Sequence, residues 1–180
     1  MAKPYKEVIS ESKMELEISL DELFGTKVPN DQALREAIGQ SVIDTIVNRT
    51  QSNKALNGKP FKEYSDEYKK SNQFDVYGKS DEVTLTLTGD MLGTLDIKAQ
   101  SRGVIKIGWQ DSTQNAKAFN HHTGDTLPRR PFFGLTNDEL SNIKKEFKDQ
   151  VEAESPTRTQ RLGDLVQGLT RLNQITKEEV

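Results

Sequence analysis

The chain contains no cysteine, which excludes disulfides, thiolate metal sites and cysteine nucleophiles and fits a reducing compartment. No apolar run approaches the roughly 20 residues that a membrane-spanning helix needs. The first residues, Met1-Ala2-Lys3-Pro4-Tyr5-Lys6, lack the hydrophobic core of a secretion signal. An excess of basic charge is missing too. The net charge is −3 and the pI near 5.5, so the molecule as a whole lacks the field of a sequence-independent nucleic-acid coat. The full Gly-x-x-x-x-Gly-Lys-Ser/Thr phosphate loop is absent, since Gly78-Lys79-Ser80 has Gln73 where the loop's first glycine would stand, and there is no nucleophile elbow. Apolar residues are few: 33% of the chain against 29% charged, with a mean hydropathy of −0.74. That is lean for an independent globule and leaves room for parts that order only in an assembly. At 180 residues the chain is long enough for one core, or one core plus an arm.

What is present reads as alternating short strands and amphipathic helices. Met14-Glu15-Leu16-Glu17-Ile18-Ser19-Leu20 has period two, the mark of a strand, within a charge-rich opening segment, and Ser19 to Phe24 reads as a short helical turn stopped by Gly25. Leu34, Ala37, Ile38, Val42, Ile43, Ile46 and Val47 recur at helical spacing and predict a long helix over 31–51. Its other side, with Arg35, Glu36, Gln40, Asp44 and Arg49, reads as solvated surface. A short helix over 63–71 carries the aromatic stripe Phe61, Tyr64 and Tyr68. Alternation predicts a strand over 83–88 and a hairpin of 94–99 with 104–109, separated by one helical turn at Met91-Leu92. Asp111 caps a helix carrying Ala116, Ala118 and Phe119, and Leu140, Ile143, Phe147 and Val151 mark another over 137–152. The expected fold is therefore α+β. A small antiparallel sheet, with strands near 83–88, 94–99 and 104–109 and a further one near 14–19, packs against long helices. Residues 1–154 form one domain. Residues 155–180, with a leucine stripe behind Ser155-Pro156, form a C-terminal amphipathic arm.

The stretch 118–138 joins two of these helices and concentrates the candidate functional residues. Gly124-Asp125 ends one helix, Pro128 and Pro131 stiffen the linker, and Thr136 with Glu139 has capping-box spacing for the next. Phe132, Phe133 and Leu135 make a short apolar plug, costly to order unless covered by the chain's own sheet or by a neighbouring subunit. Adjacent helical positions such as His121 and His122 point about 100° apart, so the pair does not converge on one ion, and the chain has no third histidine. The two read as helix C-terminal residues contacting the dipole and a neighbour. Asp125 and Asp138 read as turn and cap residues rather than as an acid–base pair. Arg129-Arg130, held between prolines beside two phenylalanines, has the chemistry of an interface; DNA contact is a weaker reading, for want of a wider basic surface. The expected inter-subunit or partner contacts are accordingly Arg129, Arg130, Phe132, Phe133, His121 and His122, with Leu165, Leu169 and Leu172 on the arm. Neither a catalytic site, a metal nor a cofactor is expected.

Three pieces in order give the chain a resemblance. They are Leu85-Thr86-Leu87-Thr88-Gly89-Asp90-Met91-Leu92, the hairpin ending Val104-Ile105-Lys106-Ile107-Gly108, and Phe119-Asn120-His121-His122-Thr123-Gly124 followed by Pro128-Arg129-Arg130-Pro131-Phe132-Phe133-Gly134-Leu135-Thr136. The sequence resembles the tail-completion and neck proteins of tailed bacteriophages, the virion morphogenesis family. There a helix ending in His or Asn and Gly leads into a Pro/Ala-Arg-Pro-Phe-(aromatic or Leu)-Gly-Leu-Ser/Thr turn. The likeness covers 57–150, with 31–51 as the family's long helix; the N-terminal segment and the arm lie outside it. It implies a non-enzymatic structural subunit that forms a homo-oligomeric ring at the head–tail junction, completing the tail and joining it to the head. The implied partners are further copies of the chain, connector or portal-side proteins, and tail-terminator or tail-tube proteins, with room for non-specific DNA in the lumen and no membrane. The implied location is the virion, after assembly in the host cytoplasm. A tail terminator capping the tube, and a small adaptor that binds through the arm, are the alternatives.

Overall fold

A computed structural model describes residues 3–86, 89–101, 103–125 and 127–154. Strands β1 (Tyr5–Ser10) and β2 (Lys13–Ser19) form a hairpin, followed by α1 (Leu20–Phe24) and the long α2 (Gln32–Gln51). The short helices α3 (Asp66–Lys69), α4 (Asn72–Val76) and α5 (Asp90–Gly93) lead to the hairpin β3 (Leu95–Ser101) and β4 (Val104–Trp109). Helices α6 (Ser112–Thr123) and α7 (Asn137–Glu154) complete the described part. The two hairpins join side by side into one antiparallel sheet of order β1-β2-β4-β3, in which Leu16 faces Ile107 and Glu17 faces Lys106. The fold is thus α+β, a four-stranded antiparallel sheet packed against helices.

The pleat sorts the sheet residues as period two requires. Met14, Leu16, Ile18, Ile105 and Ile107 are fully buried on one face, with Leu95 and Trp109 beside them. Helix α2 packs on β3 and β4, α6 packs on β2 and β4, and α7 lies against α2 and α1. The opposite face carries charge: Lys106 Nζ stands 2.8 Å from Glu17, and Lys13 Nζ stands 2.9 Å from Glu15. The helix starts follow the sequence signals. Asp31 accepts from the Leu34 N–H, Asp111 from the Gln114 N–H, and the Thr136 hydroxyl from the Glu139 N–H. The β1–β2 turn is held from outside the sheet by buried Asn115 of α6, whose side chain accepts from the Met14 N–H and donates to the Glu11 carbonyl, each at 2.7 Å.

Two expectations are corrected. The described part of the expected strand 83–88 lies outside the sheet: residues 83–86 run as a loop, with Leu85 at φ 53. Val83 and Leu85 are nevertheless buried. Alternation there encodes burial on one side, which an extended loop laid on the core provides without any ladder partner. Conversely β1 is a strand where only charge-rich sequence was read. It sits at the sheet edge with Lys6, Glu7 and Val8 exposed, as edge strands do, so its period is faint. The expected helix over 63–71 shortens to the single turn α3, with α4 following beyond it, and Tyr64, Tyr68 and Phe74 cluster there with ring centroids 5.2 to 5.8 Å apart. The expected arm, residues 155–180, lies outside the described residues.

Gly108 lets β4 lie close against β2, since a Cβ there would lie 2.5 Å from the Met14 carbonyl oxygen. That neighbour is backbone in the central strand pair and has little room to yield. Gly108→Ala is expected to destabilise the fold by about 1–3 kcal/mol, read from the urea midpoint; an unchanged midpoint would show that the two strands tolerate separation.

Candidate functional site

The connector between α6 and α7 is irregular yet largely interior: Arg130, Phe132, Phe133 and Leu135 are all buried, and Pro131 is half-buried. A buried backbone without a ladder must find its hydrogen bonds elsewhere, and here side chains from four other elements supply most of them. Arg130 N–H donates to the His121 carbonyl at 2.7 Å, folding the connector back on the last turn of α6. The Pro131 carbonyl accepts from the Leu56 N–H at 2.9 Å. One guanidinium nitrogen of Arg49 donates to the carbonyls of Phe132 and Gly134, the latter at 3.0 Å. Phe133 N–H donates to His122 Nδ1 at 3.2 Å, and the Leu135 carbonyl accepts from the Tyr5 hydroxyl at 2.7 Å. Thr136 N–H donates to Glu139, closing the reciprocal capping box.

Arg49 is the hub. Its other terminal nitrogen lies 2.6 Å from both carboxylate oxygens of Glu139, and both side chains are largely buried. One arginine thus ties α2 to the connector and to the first turn of α7. The sequence reading of Arg49 as solvated surface is corrected, because its end of α2 is roofed by the connector. A periodicity rule applied to one helix has no information about that cover.

The candidate residues separate into different roles. Phe132 and Phe133 are each 0% exposed and pack against Trp109, with ring centroids 6.2 and 5.1 Å away. Their expected contact with a neighbouring subunit is therefore corrected: the chain's own sheet and α6 cover them. Arg130, 3% exposed, is likewise turned inward. Its Nε donates to the Lys62 carbonyl at 2.8 Å, one terminal nitrogen donates to the Glu63 carbonyl at 3.0 Å, and the guanidinium lies 5.3 Å from the centre of the Tyr64 ring. Arg129 is exposed, and its backbone presses on Gly124, where a Cβ would come within 2.6 Å of Arg129 Cβ. Gly124 also sits at φ 81, so glycine is required there twice over. Leu165, Leu169 and Leu172 lie outside the described residues. Tyr5 and Arg49 are the residues of this junction that the sequence reading missed.

His121 and His122 are half-buried, the first near Arg130 and the second near Arg129. Burial, then the charge of Arg130, lowers the pKa of His121 from the usual 6.5 to about 4; burial, then Arg129, does the same for His122. Both rings are neutral at pH 7, which suits His122 Nδ1 as the acceptor of the Phe133 N–H. Among the described residues no three His, Asp or Glu side chains come together as a metal site, and no helix is long and apolar enough to cross a membrane. Comparison with protein-family models, with curated proteins and with solved structures gave no match.

Two measurements check this account. Arg49→Lys, which keeps the charge but loses the fork, is expected to cost about 3 kcal/mol or more in chemical denaturation, with Glu139→Gln non-additive in a double-mutant cycle. The histidines bind protons more readily unfolded than folded, so stability is full above pH 6.5 and falls as pH drops toward about 4. The double variant His121→Gln, His122→Gln is expected to flatten the melting temperature across that window. An unaltered slope would place the acid sensitivity in other groups.

Proposed function

We propose that the chain is a structural virion protein of a tailed bacteriophage, one subunit of a ring at the head–tail junction that completes the tail and joins it to the head. The observation that carries the reading is the connector. The stretch that resembles the neck-protein signature, His121 to Gly124 and Pro128 to Thr136, is the stretch on which α2, α6, α7 and β1 are fastened together. Its residues are committed to architecture. Gly124 allows the reversal, Arg130 and Phe132 seat it, and Thr136 starts the next helix. A signature of that kind supports shared fold and a shared structural role more than shared chemistry.

Since Phe132, Phe133 and Arg130 are occupied internally, contacts between copies fall to other surfaces. Val76 and Tyr77, 78% and 48% exposed at the end of α4, form an apolar tip. Strands β1 and β3 form the two outer edges of the sheet. Arg129 remains available as a rim charge on the same side as the connector. The partners of the proposed ring are further copies of the chain, connector or portal-side proteins and tail proteins, with assembly in the host cytoplasm.

The test is electron microscopy of particles made without this chain. Filled heads separated from finished tails are expected. Tails of irregular length would reassign the chain to the tail terminator, and normal tailed particles would remove the proposal. In parallel, the pair Val76→Asp, Tyr77→Asp is expected to leave the melting temperature within about 3 °C of the parent, as exposed substitutions do, while abolishing head–tail joining.

A further inference from the structure

One cavity is left unused by the connector's architecture. It lies between residues 64–86 and the end of α6, has a volume of about 310 Å³, and is walled by Tyr64, Tyr68 and Leu85 together with Lys79, His121 and Arg130. Three of these six carry basic nitrogen, and no aspartate or glutamate lines the space among the described residues. Arg130 is 3% exposed, yet the groups that hold it are two neutral carbonyls and an aromatic face. Its second terminal nitrogen is used by neither carbonyl, and no carboxylate of the described residues pairs with it. A buried cation without a counter-charge is costly, because desolvation is not offset by a partner. His121 Nδ1 is also buried without a hydrogen-bond partner. Lys79 is partly buried there and forms no ion pair with a described residue. An anion with an apolar body would satisfy all three at once: the aromatic walls would take the body, and the basic groups would take the charge.

We propose that this cavity is a docking site for an acidic, apolar peptide of a partner protein, with one aspartate or glutamate carboxylate seated against Arg130, Lys79 and His121. Charge complementarity selects the occupant. A carboxylate fits a guanidinium whose remaining donors lie in a plane, and one side chain with its apolar neighbour matches the size of the space. This assignment does not depend on the ring reading, since it follows from the unpaired charges alone.

The experiment titrates acetyl-Leu-Glu-Leu-amide and acetyl-Leu-Gln-Leu-amide into the full chain while the His121 ring signals are followed by NMR. Saturable binding of the glutamate peptide is expected, about tenfold or more tighter than the glutamine peptide. The bound carboxylate is expected to raise the His121 pKa above its value of about 4. Lys79→Gln, at a side chain outside the core, is expected to weaken the glutamate peptide several-fold with the melting temperature unchanged. Equal affinity for the two peptides, no binding at millimolar concentration, or indifference to Lys79→Gln overturns the proposal. So does saturation of the same signals by a short oligothymidylate and not by the peptide, which would assign the cavity to nucleic acid.

Discussion

The structure depends on a buried segment that forms no regular secondary structure. Between α6 and α7 the chain passes through the interior, where each unpaired N–H or carbonyl costs about 1–3 kcal/mol. Neither a helix nor a ladder is available to pair these groups. The solution is to bring one donor or acceptor from each surrounding element: the Tyr5 hydroxyl from β1, the Arg49 guanidinium from α2, His122 from α6 and Glu139 from α7. Because each bond also fixes its parent element against the connector, satisfying the loop and assembling the domain are one event. Arg49 shows the economy of this arrangement. A lysine at the same place could reach Glu139 or a carbonyl, but only the planar fork serves Glu139, Phe132 and Gly134 together.

Packing and electrostatics reinforce the same point. Phe132 and Phe133 bring the connector onto Trp109 at the end of β4, and the Trp109 indole N–H donates to the Met91 carbonyl at 2.6 Å, which ties in α5 as well. Full burial of each phenylalanine contributes about 1.5–3 kcal/mol, enough to hold the loop inward once its polar groups are paired. Burial, helped by the neighbouring arginines, keeps both histidines neutral. The His122 ring can then accept a backbone proton while it packs edge-on against Phe132, with centroids 6.0 Å apart. Charge, ring packing and backbone pairing thus all favour the same protonation state.

The elements that could be read from sequence are those whose signals are local. Asp31, Asp111 and the Thr136–Glu139 pair mark helix starts by side-chain chemistry within three residues, and the structure uses each of them as a cap. The hairpin of β3 and β4 was equally plain, because its alternation is paired across a short turn. The failures share a cause. Residues 83–86 alternate as a strand does, yet have no neighbour in the sheet. Strand β1 has a neighbour, but alternates weakly because one of its faces and one of its edges meet solvent. Arg49 and Phe132 were misplaced for the same reason. Whether a polar residue is roofed, or an aromatic one covered by its own chain, depends on how distant segments meet. The connector's composition announced a special segment, but the composition of a keystone and that of an interface are alike: aromatic, arginine-rich and stiff.

That likeness bears on how such a domain would take part in an assembly. A subunit whose aromatic linker needed a neighbour would expose its backbone groups whenever it stood alone, at a cost of several kcal/mol. With the linker satisfied internally, the domain stores no such debt, and association in the proposed ring would draw instead on surface features that a free subunit tolerates: the tip at Val76 and Tyr77, the outer edges of the sheet, and the cavity beside Arg130. Modest contacts become decisive when they are repeated around a closed symmetry, where every copy is held from two sides. A rigid connector would serve the proposed ring by fixing the angle between the elements that carry the contacts, since a ring closes only if every subunit presents them at the same angle.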